Sequence, residues 1–185
     1  MGEWNEKTLG ELTSFMVKGI PPKYATEIGN ETIKVLNQKC NRNNRILYSE
    51  SRLHDNSQKK VPVDKMLKDF DVLINSTGTG TAGRVAQIWS VPEPTTIDGH
   101  MILMRPTKEI EPLYYGYVIK AFQKQIEGFA EGSTGQTEIN KRRLQDEILV
   151  RFPVSLDEQK VIGRMLRDID EKIENNEAIN DNLAA

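Results

Sequence analysis

The stretch that follows Ser155 constrains this chain most. It runs for nearly thirty residues with no proline and with Gly163 as its one glycine. Two seven-residue series interlock along it: Gln159, Leu166, Ile173, Asn180, and Ile162, Ile169, Asn176, Leu183. Their alternating steps of four and three form the seam of a coiled coil. Ser155-Leu156-Asp157-Glu158 sets a serine three positions ahead of a glutamate, the capping-box arrangement, and Pro153 discourages an earlier start. A helix of ~28 residues is ~42 Å long, more than a small globule needs for its own core. Its apolar stripe is narrow and flanked by charge, and no second heptad segment occurs in the chain. The expected partner is therefore another molecule. Ile162, Leu166, Ile169, Ile173, Asn176, Asn180 and Leu183 are the expected dimerisation residues, the two asparagines setting register at some cost in stability.

Upstream, to about Pro153, the pattern is mixed. β-rich runs stand at 31–37, 45–49, 71–76, 84–89, 100–105 and 148–152, separated by Gly, Pro and Asn clusters. One amphipathic helix is expected over 112–129, where Leu113, Tyr117, Val118, Ala121, Phe122, Ile126 and Phe129 recur at helical spacing. Pro112 suits its first turn, and Gly132 is the expected stop. Strands without regular βαβ alternation predict a mixed α/β (α+β) domain over residues 1–153, followed by a long C-terminal coiled-coil helix over 154–185.

Hydrophobic residues make up 37% and charged residues 28%, and no apolar run is long enough to span a bilayer. The opening Met1–Glu6 has neither the cationic segment nor the apolar run of a signal peptide, so a cytoplasmic location is expected. A single cysteine and two histidines leave no donor set for a zinc centre, and neither a metal nor another cofactor is expected.

Gly78-Thr79-Gly80-Thr81-Ala82-Gly83 fits the dinucleotide fingerprint and follows a strand-like run. That chemistry needs a helix opening at the loop, whose N-terminal amides hold the pyrophosphate. Here Arg84–Trp89 reads as a strand, with Pro92 and Pro94 close behind. The loop is expected to be a β-connection with positive-φ glycines. It could still present Thr79 and Arg84 to a DNA phosphate or base edge. A nucleotide-dependent enzyme using residues 78–83 is the weaker alternative.

No nucleophile–base pair stands out, and no catalytic residue is assigned. His54 lies among polar residues in what reads as a surface loop, and His100 follows the turn signal Asp98-Gly99. The net charge of −2 hides a gradient. Residues 37–60 carry a local +4, and residues 151–185 a local −3. The segment Asn37-Gln38-Lys39-Cys40-Asn41-Arg42-Asn43-Asn44-Arg45 concentrates amides and guanidinium groups. Amides pair with adenine's major-groove edge, Arg with guanine's, and Lys neutralises phosphate. The candidate DNA-binding residues are therefore Lys39, Arg42, Asn44, Arg45, Thr79 and Arg84. A protein-interaction module that touches no DNA is the other reading left open by residue chemistry.

The order of motifs resembles a known family. Trp4 and Leu9, then Asp71 through Val85 with its Gly-Thr-Gly-Thr-Ala-Gly core, are similar to the target recognition domains of type I restriction–modification specificity subunits. So are Asp98-Gly99-His100, Met104-Arg105-Pro106, Gly132-Ser133-Thr134-Gly135-Gln136, Phe152-Pro153 and Leu156-Asp157-Glu158-Gln159-Lys160-Val161-Ile162. The helix ending Ile173-Glu174-Asn175-Asn176 through Leu183 completes the resemblance, which spans essentially the whole chain. It implies a non-catalytic subunit that reads double-stranded DNA for adenine-modifying methyltransferase subunits, with ATP-driven restriction subunits in the full complex. Such subunits usually carry two recognition domains and two conserved helices that act as a spacer. This chain has one of each, so the resemblance is to a half-subunit. Two copies paired through their helices are then expected to read a bipartite, interrupted-palindrome site.

Overall fold

The computed structural model describes residues 2–132 and 137–184. The motif segment Ser133–Gln136 lies outside the described residues. The domain is mixed α/β, built in layers around two four-stranded sheets.

The first sheet runs β2 (Thr13–Lys18), β11 (Met101–Pro106), β8 (Val72–Asn75), β9 (Val85–Gln87), all antiparallel. The second runs β10 (Thr95–Ile97), β4 (Thr32–Leu36), β7 (Arg52–Asp55), β3 (Tyr24–Ala25), with β10 and β4 parallel. Successive side chains leave a strand on opposite faces, so the buried run of β8 and β11 serves two cores. Val72, Ile74, Ile102 and Met104 pack with Tyr115, Ile119, Ile126 and Phe152. Leu73, Met101 and Leu103 pack with Leu36, Cys40 and Ile97 of the second sheet's side.

β5 (Asn41–Arg42) and β6 (Arg45–Ile46) form a small hairpin, and β12 (Ala130–Glu131) and β13 (Glu138–Ile139) another. β1 (Trp4–Thr8) pairs antiparallel with β14 (Leu149–Pro153), joining the two ends of the domain where the last helix begins. The Val154 amide donates to the Glu3 carbonyl at 2.9 Å, extending that pairing into the helix entry.

The expected helix over 112–129 is two helices. α1 (Pro112–Ala121) ends at Phe122, whose φ of −88° and ψ of 3° turn the chain before α2 (Gln123–Glu127). The turn aims Gln123 at the glycine loop, where its Oε1 accepts from the Val85 amide at 3.0 Å. Gly132 is consequently not the stop; the segment closes at Gly128. A short α3 (Lys141–Asp146), capped by Asn140, escaped the sequence reading.

α4 (Leu156–Ala184) is the long helix, 29 residues, and the Glu158 amide donates to the Ser155 hydroxyl at 3.3 Å as the capping pattern predicts. Its base is seated firmly. Gln159 is buried, not on an open seam: its Oε1 accepts from the Glu111 amide at 2.7 Å and its Nε2 donates to the Pro153 carbonyl at 2.7 Å. Gly163 explains its own presence, since a Cβ there would stand 3.2 Å from the Tyr114 backbone nitrogen. Farther along, Asp170 accepts from the Tyr117 hydroxyl at 3.0 Å and pairs with Lys120 at 2.8 Å. At 100° per residue, positions 159, 163, 167, 170, 174 and 177 share one face, and that face lies on the domain.

The apolar stripe lies beside it. Ile162 packs against the main core, whereas Leu166 is 36% exposed, Ile169 53%, Ile173 45% and Leu183 81%. Asn176 and Asn180 are exposed on the same side. Among the described residues no helix is long and apolar enough to cross a membrane.

Candidate nucleic-acid interface

The basic segment is built rather than loose. Asn37 caps a short 3-10 turn over Gln38–Cys40, accepting from the Lys39 amide at 2.8 Å. The hairpin then turns through Asn43 and Asn44, with φ of 52° and 58°. Two consecutive positive φ angles define the tight hairpin turn that asparagine tolerates best after glycine.

Opposite it stands the glycine loop, which joins β8 to β9 as an antiparallel connection. Gly78, Gly80 and Gly83 all have positive φ. Gly83 is required twice, since at φ +87° a Cβ would also sit 2.6 Å from the Glu127 Cα. No helix opens at this loop, so the fingerprint lacks the dipole a pyrophosphate needs.

Hairpin and loop are tied together at their bases. Buried Asn41 donates through Nδ2 to the Arg84 carbonyl at 2.8 Å. The Asn75 side chain donates to the Gln38 carbonyl at 3.0 Å. Between them lies an open cleft of about 750 Å³, lined by Gln38, Lys39, Arg42, Asn43, Asn44, Thr79, Thr81, Arg84 and Gln123. Among the described residues three cations and no carboxylate line it, which favours a polyanion.

Five of the six expected DNA-binding residues thus meet in one cleft: Lys39, Arg42, Asn44, Thr79 and Arg84. Their availability differs. Asn44 Nδ2 donates to the Val85 carbonyl at 3.0 Å and to Gln123 Oε1 at 2.6 Å, so this amide holds the hairpin tip in place. Arg42 lends Nε to the Lys39 carbonyl, and Arg84 lends Nη2 to the Gly80 carbonyl; each keeps its remaining donors. Arg45 turns the other way and pairs with Glu174 at 3.2 Å and Glu177 at 2.5 Å on α4.

The sequence reading missed Gln38 and Asn43 as individual site residues. Among the described residues neither side-chain NH2 donates a hydrogen bond, although the Thr77 hydroxyl reaches Gln38 Oε1 at 3.5 Å. An amide with an open donor and acceptor is what an adenine edge pairs with.

The histidines take different places. His54 was expected in a surface loop and is instead completely buried on β7. Its Nδ1 accepts from the Lys23 amide at 2.9 Å, which leaves Nε2 to donate to the Lys59 carbonyl at 2.7 Å; the ring is a neutral strut. Exposed His100 lies 2.8 Å through Nδ1 from the Thr77 hydroxyl, and among the described residues no carboxylate bonds the ring. Buried Asp71 and half-buried Arg105 form a bidentate pair at 2.7 and 2.9 Å that braces the start of β8 against β11. Among the described residues no cluster of three or more His, Cys, Asp or Glu is placed to hold a metal.

A family model described as "Type I restriction modification DNA specificity domain" matches residues 1–185. Among solved structures, the S subunit of a type I restriction–modification system from M. genitalium is similar, with a TM-score of 0.65 and 19% identity over 94% of this chain and 41% of that one. A chain from a structure addressing complex assembly and conformational transition of the type I R-M system gives 0.67 at 20% identity, over 93% of this chain and 39% of that one. The HsdS subunit from Thermoanaerobacter tengcongensis gives 0.63 at 17% identity, over 93% and 38%. These identities speak to fold, and the chain spans about two fifths of each structure's length. No curated protein matches it.

Proposed function

Because the chain belongs to the type I restriction modification DNA specificity domain family, we propose that it acts as one non-catalytic, DNA-reading half of a bipartite specificity unit. In this reading residues 1–153 recognise a half-site in double-stranded DNA and residues 154–185 are spacer and dimerisation helix. Two copies pair through the stripe from Leu166 to Asn180 and Leu183, with Ile162 packed on its own chain's core, so the site read is an interrupted palindrome. Methyltransferase subunits bound to the pair modify adenine, and restriction subunits join the full complex.

The observation that carries this reading is the cleft between hairpin and glycine loop. Lys39, Arg42 and Arg84 supply charge, while Gln38, Asn43 and Thr79 supply groups able to discriminate base edges. Asn44 and Arg45, expected beside Lys39, Arg42, Thr79 and Arg84 from residue chemistry and loop placement, act behind the contact surface.

The test is enrichment from a randomised duplex pool by the chain assembled with its methyltransferase subunits. Retained duplexes that share one half-site in two inverted copies at a fixed distance are expected. A pool that stays random, with assembly intact, overturns DNA reading and favours a module that contacts protein alone.

A further inference from the structure

Arg45 sits on the same hairpin that lines the cleft, directly across the strands from Arg42. Its guanidinium nonetheless crosses to α4, pairing with Glu174 at 3.2 Å and Glu177 at 2.5 Å. Nearer the start of α4, the Arg167 guanidinium lies 3.1 Å from the centre of the Trp89 ring, on the segment that follows β9. The second strand of the hairpin and the segment that follows β9 are therefore both fastened to the middle of the long helix, well past its seat at Gln159. The helix carries its acidic residues where the hairpin presents a base, which is the charge gradient visible along the chain.

We propose that Arg45 is a positioning residue: its clasp on Glu174 and Glu177, beside the Arg167–Trp89 stack, fixes the angle between the reading cleft and α4 and thereby sets the spacer length of the bipartite site. This rests on the pairing of two copies through α4. The lever is long. A tilt of ~5° about the helix base moves the far end of a ~40 Å helix by ~3.5 Å, about one base-pair step along DNA. Gln159, Gly163 and the bonds of Asp170 to Tyr117 and Lys120 seat the first half of the helix and leave its far half to swing. Ion pairs reaching Glu177, eighteen residues beyond Gln159, remove that freedom. The clasp works without touching DNA, so it governs the distance between half-sites and not their sequence.

The experiment uses the full chain with its methyltransferase subunits and duplexes carrying the enriched half-sites at every spacing. Wild type is expected to favour one spacing. Arg45→Ala, and separately Glu174→Gln with Glu177→Gln, are expected to reduce that preference by about three- to tenfold, the size two half-exposed ion pairs supply. The half-site sequence stays unchanged, and Arg45→Lys restores part of the preference. An unchanged spacing profile in both variants overturns the proposal. So does a changed half-site in Arg45→Ala, which makes Arg45 a base reader.

Should a variant, or the wild type, bind no duplex, spin labels at Ser49→Cys and Asn175→Cys in the free protein still decide. A distance distribution that broadens on Arg45→Ala supports the clasp, and one that stays narrow overturns it. Failure of wild type to enrich any half-site is a failure of the DNA-reading proposal alone.

Discussion

The turn at Asn43-Asn44 decides which polar groups of the basic segment face the cleft. It points Asn44 back into the protein and leaves Asn43 and Arg42 outward, a sorting that side-chain chemistry by itself does not contain. Arg42→Ala is expected to cost about 1–3 kcal/mol in DNA binding and to relax one position of the half-site. A uniform loss on all sequences with a shallower salt dependence would assign Arg42 to phosphate. Asp98 offers a second residue-scale prediction. It is 3% exposed, and burial pushes its pKa upward against the opposing pull of the His100 amide, His100 and Arg52. Between the unfolded and the raised folded value the native state holds more protons than the unfolded chain. Stability therefore falls as pH rises through that window, and the penalty is fully present above it. Asp98→Asn keeps the acceptor for the His100 amide, so it is expected to raise the melting temperature at neutral pH and to converge with wild type in acid. A lower melting temperature at neutral pH contradicts this. His54 was illegible for a related reason: its polar neighbours in sequence suggested solvent, but they are neighbours along a strand whose other face is buried.

Local periodicity made some elements readable and distance hid others. β4 and β8 lie within runs that the apolar pattern marks, β11 and β14 overrun theirs by one residue, and α4 follows from its cap and heptads. β1 is Trp-Asn-Glu-Lys-Thr, polar and largely exposed, and becomes a strand only by pairing with residues 149–153 from the far end of the domain. The break between α1 and α2 arises the same way, from bonds that Gln123 makes to β9 and Asn44 rather than from any helix breaker. The glycine loop was legible as a β-connection because the residues after it cannot form a helix. Gly83→Ala is expected to destabilise by about 1–3 kcal/mol from backbone conformation alone, with the Glu127 clash adding to it. It should also weaken DNA binding, since Arg84 and Thr79 move with the loop. Denaturant unfolding checks the first effect, and unaltered stability contradicts the loop's packing on α2.

At the scale of the whole molecule, the two ends of the charge gradient serve different surfaces. Among the described residues cations without a carboxylate line the cleft, and a helix rich in acids clasps the hairpin on one face. The apolar stripe beside that clasp was legible from heptads, but its lower end was not. Gln159, on the seam by period, is recruited inward by the unpaired backbone groups of Glu111 and Pro153. The free stripe thus begins near Leu166. Ile169→Lys with Ile173→Lys is expected to abolish self-association while leaving the fold intact, because both side chains are about half exposed in the single chain. An unchanged solution mass by light scattering refutes pairing through α4.

The most direct test of a self-paired reader is a map of modified adenines in a methylation-free host that co-expresses this chain with its methyltransferase subunit. An interrupted palindrome, one half-site inverted about a single spacer, is expected. An asymmetric bipartite motif contradicts self-pairing, and no motif at all, from a methyltransferase active with another reader, contradicts DNA reading itself.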